Sequence, residues 1–112
     1  MRALCLALPE AREKLTWDVP TLRVREKMFA LCGSEDARLT AWLKAPPGAQ
    51  ESLVAYDPRR YFVPPYVGRA GWVGVYLDGR VPWAQVAALV EQSWRLVAPR
   101  KLVAKLPVRD ED

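Results

Sequence analysis

The stretch TLRVREKMFALC, residues 21–32, decides the fold because it has the pattern of a β-hairpin. Leu22 and Val24 alternate with two arginines, and this period of two predicts a strand with one apolar and one charged face. Residues 26–27 are predicted to form the hairpin tip, and residues 28–32 the returning strand. A hairpin of this kind predicts an antiparallel sheet.

Strand patterns continue on both sides of this hairpin. Residues 13–17 are predicted to form a strand before it, and residues 38–44 a strand after it, with Leu39 among the inward-facing side chains. Residues 33–36, rich in polar side chains and beginning with glycine, are predicted to be a turn. Residues 13–44 are therefore predicted to form an antiparallel meander.

The second half of the chain adds strands and helices to this meander. Residues 60–63, limited by prolines, are predicted to be a short edge strand, and residues 71–77 a further strand. Helices are predicted at residues 3–8, 49–55 and 82–98. The third has an apolar stripe that includes Trp83, Val90 and Trp94, which we expect to pack against the sheet.

The expected fold class is therefore α+β. An antiparallel sheet of about five to six strands is predicted, with N-terminal and C-terminal helices packed on it. Residues 1–106 are expected to form a single domain, and residues 107–112 an acidic, frayed C-terminal tail.

The composition excludes several classes of site. There is no histidine, so Ser-His-Asp and Cys-His catalysis and histidine metal sites are excluded. Two cysteines, Cys5 and Cys32, cannot build a structural zinc site, and we expect both to be reduced thiols in a cytoplasmic protein. The N-terminus does not fit a signal peptide, and no run is long enough to span a membrane. No catalytic residue, metal or cofactor is predicted, and we expect a monomer that is not an enzyme.

The charge permits an anionic partner. Net charge is +4, and three of the thirteen acidic residues are the last three of the chain, so the preceding body is more basic. Cations interleaved with aromatic side chains on a sheet can contact phosphates and stack on bases. The candidate nucleic-acid-binding residues are Arg23, Arg25, Lys27, Lys44, Arg59, Arg60 and Arg69. The alternative interpretation of the same residues is a solvated sheet face.

The order of motifs along residues 3–102 resembles the MmcQ/YjbR family of small bacterial proteins. The resemblance rests on LPE at residues 8–10, PTLRVREKMFA at 20–30, RAGWVGVYLD at 69–78 and SWRLVAPRKL at 93–102. It implies a frataxin-like, double-wing α+β fold and a DNA-binding function, with no catalytic motif. Many relatives have a histidine near residues 13–18, where this chain has none.

Two functions are consistent with these observations. The first is a DNA-binding module that makes weak, sequence-independent phosphate contacts. The alternative is a protein-interaction or regulatory adaptor, without nucleic-acid binding or catalysis, that uses an exposed aromatic residue such as Trp42 or Tyr61.

Overall fold

The computed structural model describes residues 1–16, 18–35 and 38–106. Trp17, in the first predicted strand, and the predicted tail at 107–112 lie outside these residues. Over the described ranges the strands form one antiparallel sheet in the order β1-β2-β3-β4-β6-β5. They are β1 (Ala11–Thr16), β2 (Val19–Val24), β3 (Lys27–Glu35), β4 (Arg38–Leu43), β5 (Tyr61–Phe62) and β6 (Val73–Tyr76). The predicted α+β class, meander and edge strand are confirmed.

The helices supply the other layer of the core. They are α1 (Arg2–Leu6), α2 (Ala49–Tyr56), α3 (Trp83–Val97) and α4 (Arg100–Val103), and a 3₁₀ turn spans Val67–Ala70. Leu22 and Val24 of β2 pack in one core with Val90 and Trp94 of α3, all four fully or almost fully buried, as predicted. Among the described residues, no helix is both long and apolar enough to cross a membrane.

The hairpin tip lies one residue earlier than predicted. Arg25 and Glu26 form it, with φ of 51° and 69°, and Lys27 already begins β3. Two successive residues with positive φ are typical of the type I′ turn, whose twist matches that of the strands it joins. Residues 33–35 are also strand rather than turn, because β3 pairs with β4 as far as Glu35 and Arg38.

Two large side chains predicted to be buried are exposed. Trp83 is 47% exposed because it is the first residue of α3, whose buried positions begin only at Val86. Leu39 is 69% exposed, although Ala41 and Leu43 of the same strand are fully buried. In both cases the side-chain periodicity predicts the correct face of the helix or strand. The side chain is nevertheless exposed, because the layer packed on that face does not reach the end of the helix or strand.

The helix-free face of the sheet carries a mixed set of side chains. Cross-strand partners on this face are Thr21, Leu31, Trp42 and Gly74, one from each of four adjacent strands. They share this face because their neighbours in the chain, such as Leu22 and Leu43, are in the core. The face is therefore neither a second core nor a uniformly charged surface.

The two cysteines are free, as predicted. Burial raises the pKa of the Cys5 thiol to about 12, so it stays protonated at neutral pH. Cys32 is half-buried, and burial also raises its pKa. Neither thiol has the depressed pKa that is typical of a reactive cysteine.

Candidate nucleic-acid interface

The predicted cations do not form one continuous patch. In the pairing of β4 with β6, Thr40 lies opposite Tyr76 and Leu43 lies opposite Val73. These two residue pairs mark opposite ends of the sheet. Lys44 follows β4 at the Leu43 end. The Arg60 guanidinium lies at the other end, where it donates hydrogen bonds to the backbone carbonyl oxygens of Tyr76, Asp78 and Arg80 at 2.6, 2.9 and 3.0 Å. Arg60 therefore holds the chain after β6 in place.

Arg23 lies on the helix-free face and is fixed there by three hydrogen bonds. Its guanidinium donates to the hydroxyls of Thr21 and Thr16 at 3.3 Å each, and to the carbonyl oxygen of Glu26 at 3.1 Å. Each bond uses a different nitrogen. A guanidinium has five N–H donors, so Arg23 keeps donor capacity for a ligand while its position is set by the protein.

Arg25 is engaged by a carboxylate. Its guanidinium donates to both oxygens of Glu10, at 2.6 and 3.1 Å. Hydrogen bonding to Arg25 lowers the pKa of Glu10, so the pair stays ionised at neutral pH. The bidentate geometry fixes the arginine and offsets its charge.

The remaining predicted cations are dispersed. Lys27 is exposed at the start of β3, Arg59 is exposed in the turn before β5, and Arg69 is exposed in the 3₁₀ turn before β6. Lys44 is half-buried, and its backbone N–H donates to the hydroxyl of Ser93 at 2.9 Å. Of the seven predicted residues, Arg23 and Arg25 line one depression, at the β1 edge of the sheet.

The basic groove is a depression of about 590 Å³ at the β1 edge, beside the hairpin tip. Four cations and three carboxylates line it: Arg12, Lys14, Arg23, Arg25, Glu10, Glu13 and Glu26. Arg25 engages Glu10, and Arg2 engages Glu13 at 2.7 Å. Within the described parts of the chain, neither Arg12 nor Lys14 forms an ion pair. After these ion pairs are taken into account, the groove keeps an excess of positive charge.

Arg12 and Lys14 are not among the residues predicted from the sequence. Arg12 pairs with Arg23 and Lys14 with Thr21, so both project from the helix-free face. The alternation in AREKLT, residues 11–16, contains this signal, since its even-numbered side chains share one face. The strand predicted from the sequence begins at residue 13, so it excludes Arg12 and leaves Lys14 as a single cation on its face.

A second depression, the apolar groove, adjoins the first on the helix-free face and has a volume of about 520 Å³. Its lining residues are Thr16, Val19, Thr21, Arg23, Met28, Leu31, Gly33, Ser34, Trp42, Tyr66 and Val67. Tyr66 is 91% exposed and Trp42 half-buried. Of the aromatic residues that the sequence suggested, Trp42 is thus partly accessible, whereas Tyr61 is 1% exposed and Trp72 is buried.

Comparison with known proteins agrees with this fold. The YjbR family model matches residues 6–96. The chain is 30% identical over 97 residues to the uncharacterized protein YjbR of Escherichia coli strain K12, an alignment that covers 81% of this chain and 78% of that protein. The crystal structure of Deinococcus radiodurans protein DR2400, a DUF419 domain, superposes with a TM-score of 0.78 and 27% identity, covering 98% of this chain and 88% of that one. The chain therefore belongs to the YjbR family.

Proposed function

We propose that this protein binds DNA through the phosphate backbone, with the basic groove as its contact surface. The observation that carries the proposal is the placement of Arg12 and Lys14 on the helix-free face of β1, beside the fixed guanidinium of Arg23. Cations on one face at strand spacing can follow a row of phosphates. Since phosphate contacts do not discriminate bases, we expect binding to be independent of sequence.

The family resemblance supports the same function, because it implies a DNA-binding double-wing protein. In this chain the Arg25 side chain at the hairpin tip is already engaged by Glu10. The tip is therefore less available to a phosphate than the tip of such a wing would have to be. The contact surface that we propose therefore lies on β1 and β2 beside the tip. Lys27, exposed at the start of β3, extends it.

Replacing both free cations of the groove tests this function. Arg12→Ala with Lys14→Ala is expected to weaken binding of a 15-base-pair duplex about tenfold or more in about 50 mM salt, with all sequences affected equally. The log–log salt slope should become shallower by about two, since each duplex phosphate contact contributes about −0.9. Fluorescence anisotropy over a salt series measures both quantities.

The matched control is Arg100→Ala with Lys101→Ala, which removes the same charge from two exposed positions of α4. It should leave the salt slope almost unchanged. Equal weakening by the two double variants would contradict a localised site. If 100 μM wild-type protein in about 50 mM salt shifts neither duplex nor single strands, the DNA-binding proposal fails, because non-specific affinities are about 10⁻⁴–10⁻⁶ M.

Releasing Arg25 should strengthen binding. Glu10→Gln removes a carboxylate from the basic groove and frees the guanidinium that it now engages. We expect duplex affinity to rise about three- to tenfold in low salt, and the salt slope to steepen by about one, as for one added phosphate contact. Glu51→Gln, at an exposed position of α2, is the control with the same change in charge. Unchanged affinity for Glu10→Gln would show that phosphate does not reach the hairpin tip.

The adaptor function is the second candidate, favoured by one observation. Leu15 is 64% exposed and Leu39 69%, an unusual degree of exposure for leucines on the side of the sheet that carries the helices. Contiguous exposed apolar patches mark protein-interaction sites, and these two leucines are where the adaptor function would need one. The adaptor function predicts no DNA binding in low salt, so the anisotropy experiment distinguishes the two functions.

A further inference from the structure

We infer that the apolar groove receives one unpaired base of single-stranded DNA, while the basic groove holds the adjoining phosphates. The inference rests on the proposed function and goes beyond it. Phosphate contacts alone would bind both single strands and duplexes, whereas a base site requires an unpaired base. It follows from the connection between the two grooves, from the side chains of the apolar groove, and from the hydrogen bonds already made within it.

Arg23 connects the two grooves. It is the one residue that lines both depressions as the structure describes them. Its guanidinium is held by Thr16, Thr21 and the Glu26 carbonyl, so it does not have to be ordered when a ligand binds. A nucleotide has a similar layout, with an apolar ring joined to an anionic phosphate. A base in the apolar groove would place its phosphate toward Arg23, Arg12 and Lys14.

The apolar groove has the size and lining of a small-ligand site. Its volume of about 520 Å³ falls within the range of about 300–1,000 Å³ that such sites occupy. Trp42 contributes an aromatic ring from the sheet, and Tyr66 a second from the segment before β6. Tyr66 has φ of 64°, a conformation that costs a non-glycine residue of order 1 kcal/mol. The fold therefore maintains an exposed ring in a strained position at the mouth of the groove.

Three polar side chains of the groove, those of Thr16, Thr21 and Arg23, are engaged with one another. The Thr21 hydroxyl donates to the carbonyl oxygen of Lys14 at 2.7 Å and accepts from Arg23, and the Thr16 hydroxyl also accepts from Arg23. The indole N–H of Trp42 donates to Thr40 at 3.1 Å. Apart from Ser34 and the remaining N–H groups of Arg23, the groove therefore offers stacking and apolar contact to a base, which is how sequence-tolerant single-strand binders hold bases.

These features favour an unpaired thymine of DNA. A thymine methyl group gains from contact with an apolar wall such as Leu31 and Met28, and uracil lacks it. The hydroxyls of Thr16 and Thr21, which lie 3.4 Å apart and both accept from Arg23, have little capacity left for a ribose 2′-OH. A base in a duplex would first have to be unpaired and unstacked, at a cost of a few kcal/mol. We therefore expect single-stranded DNA to bind more tightly than duplex DNA.

Three 15-nucleotide ligands test the inference by fluorescence anisotropy: oligo(dT), an abasic strand with the same phosphates, and oligo(rU). We expect the wild-type protein to bind oligo(dT) about tenfold more tightly than the abasic strand, the effect of roughly one stacked base. Tyr66→Ala should remove most of this difference and leave abasic-strand affinity unchanged. Tyr56→Ala is the control, because Tyr56 is 76% exposed on α2, outside both grooves. Thermal unfolding verifies that both variants are folded.

The outcomes separate this inference from the proposed function. Equal affinity for oligo(dT) and the abasic strand, or equal effects of Tyr66→Ala and Tyr56→Ala, would overturn the base site and leave phosphate binding intact. Tighter binding of oligo(rU) than of oligo(dT) would overturn the assignment to DNA. Binding of none of the three ligands, nor of duplex, would overturn both proposals. Loss of the base-dependent affinity in Tyr66→Ala alone supports the base site.

Discussion

Trp94→Ala is expected to lower the free energy of unfolding by about 3–5 kcal/mol, the usual cost of removing a fully buried large aromatic side chain. Trp94 is 0% exposed in the core between α3 and the sheet. Its indole N–H also donates to the carbonyl oxygen of Pro9 at 3.1 Å, which ties the segment after α1 to α3. The substitution therefore removes packing and leaves that carbonyl without its partner. Urea unfolding followed by far-ultraviolet circular dichroism measures the loss.

Trp83→Ala is the matched control, since it removes the same side chain from the same helix. Trp83 is 47% exposed, so we expect it to cost about 1 kcal/mol or less. Equal losses for the two variants would contradict the core that the structure shows. A Trp94→Ala protein as stable as the wild type would contradict it directly.

Ser93→Ala is expected to cost about 2–4 kcal/mol, a large effect for the loss of one hydroxyl. Ser93 of α3 is fully buried, and its hydroxyl donates to the carbonyl oxygen of Phe29 and accepts from the N–H of Lys44 at 2.9 Å. The hydroxyl thus links two neighbouring strands just beyond the last register pair, Ala30 with Leu43. Alanine leaves both backbone groups unpaired, and each such group costs about 1–3 kcal/mol.

Ser52→Ala is the control for this substitution. Ser52 is exposed on α2, where alanine is the better helix former, so stability should rise slightly or stay unchanged. The comparison separates the buried hydrogen bonds from the helix propensity of the two residues. If Ser93→Ala unfolds at the same urea concentration as the wild type, the bridge between the strands contributes nothing.

The candidate site was only partly predictable from the sequence. Arg23 was identified because strand alternation places it opposite Leu22 and Val24, and the structure confirms that face. The engagement of Arg25 by Glu10 could not be predicted, since the two residues are fifteen positions apart and meet only when β1 and the hairpin tip are in place. Arg60 likewise contacts carbonyl groups sixteen to twenty positions away.

Local sequence pattern determined the fold class of this protein. The alternation in residues 21–32 and 38–44 and the apolar stripe of α3 are short-range signals, and burial of one face per element is enough to specify an antiparallel sheet covered by helices. Val90 and Trp94 could be assigned to the core because they lie on the apolar stripe of α3, within the length of the helix that the sheet covers.

Tertiary structure alone decided where each layer ends and which charges remain available. Trp83 and Leu39 lie on the correct faces but beyond the covering layer, so periodicity could not predict their exposure. The apolar groove is lined by residues of four strands and by Tyr66 and Val67. These two residues lie more than twenty positions further along the chain than the last of the strand residues. The physical reason is that burial, ion pairing and groove shape depend on contacts between distant segments, whereas periodicity reports only the direction of a side chain from its own backbone.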